Sequence, residues 1–229
     1  MIDQELVQLW QLLSILAGTF TVITKQFEAE VSTEANLDGV FPLLLRAGCT
    51  SEELDARFSE LVENNPELVW EQTADGEIVM MLPAGANSSR RNSMLTTQIG
   101  NWANVHGGQA FDSSCFFKLP NGAKRGPDGA VIEQARWDSV AEEDRDSYSA
   151  IVPDFVVELR SNSDRLKTLQ SKMEEYMSNG VRLGWLIDPV RRKVEIHRQG
   201  KPFEVRENPQ SIEGEDILIG FVLDLNGIL

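Results

Sequence analysis

Two stretches of the chain carry apolar residues every three or four positions, which predicts two amphipathic helices. The first follows the loop that begins at Pro83 and runs to Gly107-Gly108, and the second starts near Ser163 or Asp164 and ends at Asn179-Gly180. Serine and aspartate suit a helix N-cap, and glycine suits the position after the last turn. The apolar positions are Met94, Leu95, Ile99, Trp102 and Val105 in the first stretch and Leu166, Leu169, Met173, Tyr176 and Met177 in the second. A further helix is predicted over residues 50–64.

Apolar runs of five to eight residues predict strands before, between and after these helices. Residues 68–72 and 77–82 flank Asp75-Gly76, and Asp-Gly between two such runs predicts a hairpin. Residues 152–159 and 181–188 have the continuous apolar character of buried strands, whereas 193–198 alternates like a half-buried outer strand. The fold class that follows is α+β (α/β), with a central sheet and one helix from each half of the chain packed on it.

Residues 1–48 are predicted to form a mostly helical extension, and residues 49–229 to form the main domain. The apolar segment 12–23 is about half the ~20 residues that a membrane span requires, and no basic segment precedes it. The two cysteines, Cys49 and Cys115, lack the spacing of a zinc site, so reduced thiols are expected. These features predict a cytoplasmic protein without a membrane partner.

Composition narrows the function classes. Apolar residues make up 41% of the chain and charged residues 25%, and the net charge is −15. An acidic surface disfavours a protein that coats nucleic acid through broad electrostatics, but a bound divalent cation reverses the local sign of charge. The acidic segment 136–148 is predicted to be a surface excursion, in which Trp137 is a candidate for contact with a base. His197 is predicted to lie on the surface.

Charged residues interrupt the predicted buried strand 152–159. Asp154, Glu158 and Arg160 share one face because side chains alternate along a strand. Asp154 and Glu158 are about 13 Å apart along the strand, which is too far for both to bind one cation. Asp154 is therefore predicted to be an exposed residue at the strand entrance.

Glu158 lies in the middle of an apolar run, where an uncompensated carboxylate would cost several kcal/mol. An ion pair with Arg160 and a metal ion are both compatible with its position. Asp128 favours the metal, because it also opens an apolar run after a proline and an adjacent strand would bring it beside Glu158. Two carboxylates, several waters and a phosphate are a usual environment for Mg²⁺.

Lys172 falls on the flank of the second helix's apolar stripe, between Leu169 and Tyr176. At 100° per residue this flank leans over the sheet towards Glu158. The alternative is that the ammonium extends into water, as flanking lysines commonly do.

These motifs together resemble the Uma-two family of restriction-endonuclease-like proteins in the PD-(D/E)xK nuclease superfamily. The resemblance extends from about residue 50 to residue 228. It is carried by Gly126-Pro-Asp-Gly-Ala, Val152-Pro-Asp-Phe-Val-Val-Glu-Leu-Arg-Ser-Asn-Ser-Asp, Lys172-Met-Glu-Glu-Tyr, Asn179-Gly-Val-Arg-Leu-Gly-Trp-Leu-Ile-Asp-Pro and Gly214-Glu-Asp-Ile-Leu-Ile-Gly-Phe.

The resemblance implies a restriction-endonuclease-like core, a mixed central sheet flanked by helices, and hydrolysis of DNA phosphodiester bonds with Mg²⁺ or Mn²⁺. Asp128 matches the aspartate of the Pro-Asp motif, and Glu158 matches the acidic residue of (D/E)xK. Both would bind the metal. Arg160 occupies the usual lysine position, and Lys172 occupies the place to which the family's lysine has moved. The implied catalytic residues are Asp128, Glu158, Lys172 and Arg160.

The chain departs from the family pattern near Asn87 and Ser88, where relatives often carry Glu or His, and two glycines flank Pro127-Asp128. The first departure removes one accessory ligand. It leaves open an alternative function, a catalytically inactive nuclease-fold protein that binds DNA or another protein. A purely structural ion-pair cluster is a third interpretation. An enzyme that cuts both strands is expected to act as a homodimer.

Overall fold

The computed structural model describes residues 29–31, 43–47, 58–59, 62–63, 69–81, 84–145 and 151–229. The strands are β1 (Ala29–Val31), β2 (Leu43–Ala47), β3 (Val69–Gln72), β4 (Glu77–Met81), β5 (Gln109–Asp112), β6 (Phe117–Lys118), β7 (Lys124–Arg125), β8 (Gly129–Ile132), β9 (Phe155–Leu159), β10 (Leu183–Asp188), β11 (Lys193–Arg198), β12 (Glu204–Glu207), β13 (Ser211–Glu213) and β14 (Val222–Asp224). The helices are α1 (Ala86–His106), α2 (Gln134–Asp138), α3 (Glu142–Arg145) and α4 (Leu166–Ser178). None of the described helices is long and apolar enough to cross a membrane.

The central sheet has the strand order β12-β11-β10-β9-β8-β5. Strands β9 and β10 run parallel and are connected through α4, whereas the other neighbouring pairs of this sheet are antiparallel. A parallel pair requires a crossover connection, and a helix commonly supplies it. The predicted mixed sheet flanked by helices is confirmed.

The two faces of the central sheet pack against different helices. Val157 and Trp185 belong to the core cluster that contains residues of α1 and of the C-terminal segment. Val156 and Leu186 belong to the cluster on the opposite face, which contains residues of α4. Because side chains alternate along β9, Glu158 shares the α4 face with Val156.

A second, antiparallel sheet has the order β1-β2-β4-β3-β7-β6. Its hairpin β3–β4 forms as predicted, with Gly76 at a φ of 81° in the turn, where glycine lacks the steric penalty of other residues. Strands β1 and β2 lie within the segment predicted to be mostly helical, so that prediction is wrong at these two places. The rest of residues 1–48 lies outside the described residues, and the domain division at residue 48 stays a prediction.

The helix ends were predicted with mixed success. Helix α1 ends before Gly107, which has a φ of 84° and donates its backbone N–H to Ala103. Residues 58–59 and 62–63 are helical, in agreement with the helix predicted there, whose other residues are not described. The predicted cap of α4 is wrong. Arg165 occupies the N-cap position, and the Asp164 carboxylate instead accepts the backbone N–H of Ser161 at 2.7 Å.

Asp154 is buried, contrary to the prediction of an exposed residue. Its carboxylate lies 2.7 Å from the Arg136 guanidinium and 3.4 Å from that of Arg182, and it accepts the Glu133 backbone N–H at 2.9 Å. The residue is 3% exposed. Since these partners precede and follow β9 in the chain, Asp154 stabilises the entrance to the central sheet and lies away from Glu158.

The surface prediction for His197 is wrong, whereas the contact of Trp137 with a base stays a prediction. His197 is buried because β12 pairs with β11 on its outer side and Phe203 stacks on the imidazole at 5.0 Å. Trp137 is half-buried, with its ring 5.4 Å from that of Phe111 in an edge contact. The indole therefore packs on the core, which leaves less of it for contact with a base.

Candidate active site

Asp128 and Glu158 lie on neighbouring strands of the central sheet. Gly129 is opposite Val157 in the antiparallel pairing of β8 with β9. Continuing this register by one residue places Asp128 across from Glu158, on the α4 face. The Oδ2 atom of Asp128 accepts the backbone N–H of Leu159 at 2.7 Å, which holds the carboxylate beside β9.

Lys172 reaches this pair from α4 and does not extend into water. Its Nζ atom lies 2.8 Å from Oε1 of Glu158, 2.6 Å from Oε1 of Glu71 and 3.2 Å from the carbonyl oxygen of Gly126. An ammonium group has three hydrogens to donate, and these three acceptors replace the water that burial removes. The lysine thus joins the helix to both sheets.

Glu71 on β3 was missed by the sequence analysis. It is 3% exposed, and both carboxylate oxygens accept hydrogen bonds. Oε1 accepts from Lys172 and from the Gly126 backbone N–H at 3.1 Å, and Oε2 accepts from Arg125 at 3.1 Å. A carboxylate within the apolar run 68–72 is the same signal that identified Glu158, and it was available in the sequence.

Arg125 extends the network towards the surface. Its Nη1 atom contacts Glu71 and its Nε atom lies 2.6 Å from Oε2 of Glu175, which is one turn of α4 beyond Lys172. Glu175 also accepts a hydrogen bond from Asn121 at 2.9 Å. The charges alternate in sign along this chain of contacts, so each cation is compensated on both sides.

Arg160 follows β9 and is bonded elsewhere. Its Nη1 atom lies 2.8 Å from Oδ2 of Asp188, and its Nε donates to the carbonyl oxygen of Asp164 at 3.2 Å. The ion pair with Glu158 that was considered from the sequence is therefore wrong. Glu158 pairs with Lys172, and Arg160 pairs with the residue that ends β10.

Burial and neighbouring charges give the carboxyl groups of Asp128, Glu158 and Glu71 different pKa values. Burial raises the pKa of Asp128 to about 6 against the hydrogen bond from Leu159, and it raises the pKa of Glu158 to about 7 despite the charge of Lys172. Burial also works against the charge of Glu71, but Lys172 and Arg125 outweigh it and hold the pKa of Glu71 below its usual range. Asp128 and Glu158 thus exchange a proton near neutral pH, whereas Glu71 is ionised there.

Lys172 itself stays protonated. Burial opposes its charge, but the carboxylates of Glu158 and Glu71 outweigh that effect and raise its pKa above the usual range. A group that keeps its proton does not act as a general base in this arrangement. The chemistry it can supply is a positive charge and directed hydrogen bonds.

Asp128 and Glu158 each keep one carboxylate oxygen, Oδ1 and Oε2, that accepts no hydrogen bond from any described residue. The described residues contain no cluster of three or more His, Cys, Asp or Glu side chains suited to a metal ion. Two free carboxylate oxygens still match Mg²⁺, which uses one or two carboxylates and keeps several waters. The donor set fits such a cation better than it fits zinc.

Asn87 and Ser88 lie apart from this pair, whereas the two glycines of the family pattern adjoin Asp128. Asn87 and Ser88 are in the first turn of α1, which packs on the face of the sheet opposite to Glu158. The glycines next to Pro127-Asp128 are closely packed, since a Cβ atom on Gly126 would lie 3.1 Å from the Phe116 ring and one on Gly129 would lie 3.1 Å from Val157.

A solved structure shares the fold of this chain. A crystal structure from Anabaena variabilis, described as "a putative nuclease belonging to DUF820", matches with a TM-score of 0.61 and 20% identity, over 70% of this chain and 89% of that one. The Uma2 family model, described as "Putative restriction endonuclease", matches residues 55–226. The chain belongs to the Uma2 family. No curated protein matches it.

Neutralising Asp128 is expected to stabilise the metal-free protein. In Asp128→Asn we expect the free energy of unfolding at pH 8 to rise by about 1 to 2 kcal/mol, less than the full pKa difference implies because the half-buried side chain is partly screened. A carboxyl whose folded pKa is raised costs stability as pH rises from its unfolded to its folded value. The gain is therefore expected to fall by about half at pH 5. Urea denaturation in EDTA from pH 5 to pH 8 measures it, and a gain independent of pH contradicts it.

Neutralising Glu71 is expected to have the opposite effect. Glu71→Gln removes the charge shared by Lys172 and Arg125, and we expect a loss of about 2 to 4 kcal/mol of stability at pH 8. The depressed pKa of Glu71 means that this contribution is present above its unfolded value and is lost as pH falls through the folded value. Urea denaturation tests it, with Glu174→Gln, an exposed residue of the helix that carries Lys172, as the control. Equal midpoints for the two variants would exclude a role for Glu71 in holding the cations.

Proposed function

We propose that this protein is an endonuclease that depends on Mg²⁺ or Mn²⁺ and hydrolyses phosphodiester bonds of DNA. Membership of the Uma2 family and the nuclease-like fold support nucleic-acid hydrolysis. The observation that carries the proposal is the placement of two carboxyl groups with free oxygens beside a protonated lysine.

The balance of charge supports a divalent cation. Four carboxyl groups and two basic groups lie together here. Glu158, Glu71 and Glu175 contact Lys172 or Arg125, and Asp128 lies within range of the charge of Lys172. If all are ionised, four negative and two positive charges leave two negative charges uncompensated. Burial is the main cause of the raised pKa values of Asp128 and Glu158, and neighbouring carboxylates raise them further. A divalent cation would supply the missing charge.

Each residue has a distinct part in the proposed reaction. Asp128 and Glu158 would hold the cation, which supplies polarisation of the scissile phosphate and a lower pKa for a bound water. Lys172 would exchange one of its carboxylate contacts for the phosphate or the attacking water and stabilise negative charge in the transition state. Arg160 cannot serve as a base because a guanidinium does not lose its proton, and it stays bonded to Asp188.

The other interpretations lead to different experimental results. A catalytically inactive relative would bind DNA without metal and without cleavage. A structural ion-pair cluster would show neither binding nor cleavage. We propose a homodimer because one site of this kind cuts one strand. The location in the cytoplasm stays a prediction from the sequence.

Cleavage is expected to require both the metal and Glu158. With Mg²⁺ or Mn²⁺ the protein is expected to nick or linearise plasmid DNA or to degrade single-stranded DNA, and EDTA is expected to stop it. Glu158→Ala should abolish the activity, because it removes one of the two metal-binding carboxylates, whereas Glu174→Gln on the exposed side of α4 should retain it. Gel electrophoresis of the products measures this. Metal-independent binding without cuts, equally strong in Asp128→Ala, would refute the proposal.

Lys172 and Arg160 are expected to differ as catalytic residues. Lys172→Met should lower the cleavage rate at saturating metal by about 100-fold or more, because it removes charge stabilisation from the transition state. Arg160→Gln should lower it by less than about tenfold, since Asp188 already holds that guanidinium. Single-turnover rates on a labelled oligonucleotide separate them. The reverse order of the two effects would assign the catalytic charge to Arg160.

A further inference from the structure

The hydroxyl group of Tyr176 lies against the proposed metal-binding carboxylate. It donates a hydrogen bond to Oε1 of Glu158 at 3.0 Å, and the tyrosine is fully buried. Buried hydroxyls need a partner, and most of them find a backbone group or water. Here the partner is the side chain that the proposed chemistry uses.

Helix α4 delivers two donors to the same atom. Lys172 and Tyr176 are four residues apart, so they lie on one face of the helix, and both bond Oε1 of Glu158. With two donors on Oε1, rotation of the carboxylate about its last bond would break both contacts. Oε2 is thereby the oxygen left without a hydrogen bond from any described residue.

We propose that Tyr176 is a positioning residue that fixes the Glu158 carboxylate with Oε2 available to the cation. This inference rests on the function proposed above. The ring is held in the core cluster on the α4 face of the sheet with Val156 and Met173, so the hydroxyl has little freedom to move. A neutral donor suits this role, because it orients the carboxylate without cancelling the negative charge that attracts a cation.

The test is the affinity for Mn²⁺ of the full chain without DNA, measured by calorimetric titration. Tyr176→Phe keeps the ring and removes only the hydroxyl. We expect its Kd for Mn²⁺ to rise about tenfold, the size of effect usual for groups that orient a metal ligand. Met173→Leu, a buried change on the same helix without a polar contact, is expected to leave Kd within twofold. Cleavage by Tyr176→Phe should recover as Mn²⁺ is raised, whereas that by Glu158→Gln should not.

The outcomes separate this inference from the proposed function. If Glu158→Gln weakens Mn²⁺ binding and Tyr176→Phe does not, Tyr176 only satisfies its own hydroxyl and the inference is wrong. If Glu158→Gln binds Mn²⁺ as tightly as the natural chain, the metal site itself is wrong. If Tyr176→Phe does not fold, Tyr176→Met, which also fills the space with apolar atoms, is titrated instead, with the same expected rise.

Discussion

The ammonium group of Lys172 is the contact on which the surrounding arrangement depends. It bonds Glu71 of the second sheet, Glu158 of the central sheet and the carbonyl oxygen of Gly126. A buried ammonium is tolerated only where acceptors replace its water. The fold meets this requirement with groups from three separate parts of the chain. The two sheets are therefore joined at this point by an interaction between charges, with apolar packing on either side of it.

One lysine cannot neutralise three carboxyl groups, and the structure distributes its charge unequally. Glu71 receives Lys172 and Arg125 together and keeps a depressed pKa, whereas Glu158 and Asp128 have raised ones. Acids whose environments move their pKa values apart usually have different tasks. Glu71 has every oxygen occupied and serves to hold cations. Glu158 and Asp128 keep free oxygens at a cost to stability, which is characteristic of a functional site.

The periodicity of apolar residues and the geometry of single helices and strands were sufficient to predict much of the fold and part of the candidate site. The hairpin, the helices α1 and α4 and the central sheet follow from periodicity, and strand alternation with helical phase was enough to direct Glu158 and Lys172 towards each other. Features that depend on how distant segments pack were not predictable in this way. Glu71 meets Lys172 only because the second sheet lies over α4, and His197 is buried only because β12 follows β11. The environment of Asp154 likewise depends on Arg136 and Arg182, on either side of its strand.

The segment Gly126-Pro127-Asp128 is recognisable from its local sequence, but its role depends on contacts with distant parts of the chain. Gly126 donates its N–H to Glu71 and accepts from Lys172, and a Cβ atom there would be in tight contact with Phe116. Two residues later, Asp128 accepts the N–H of Leu159, which follows Glu158. This segment therefore fixes the Glu71–Lys172 contact at one end and the carboxyl pair at the other. At the two flanking glycines the absence of a Cβ atom permits the close approach of Phe116 and Val157.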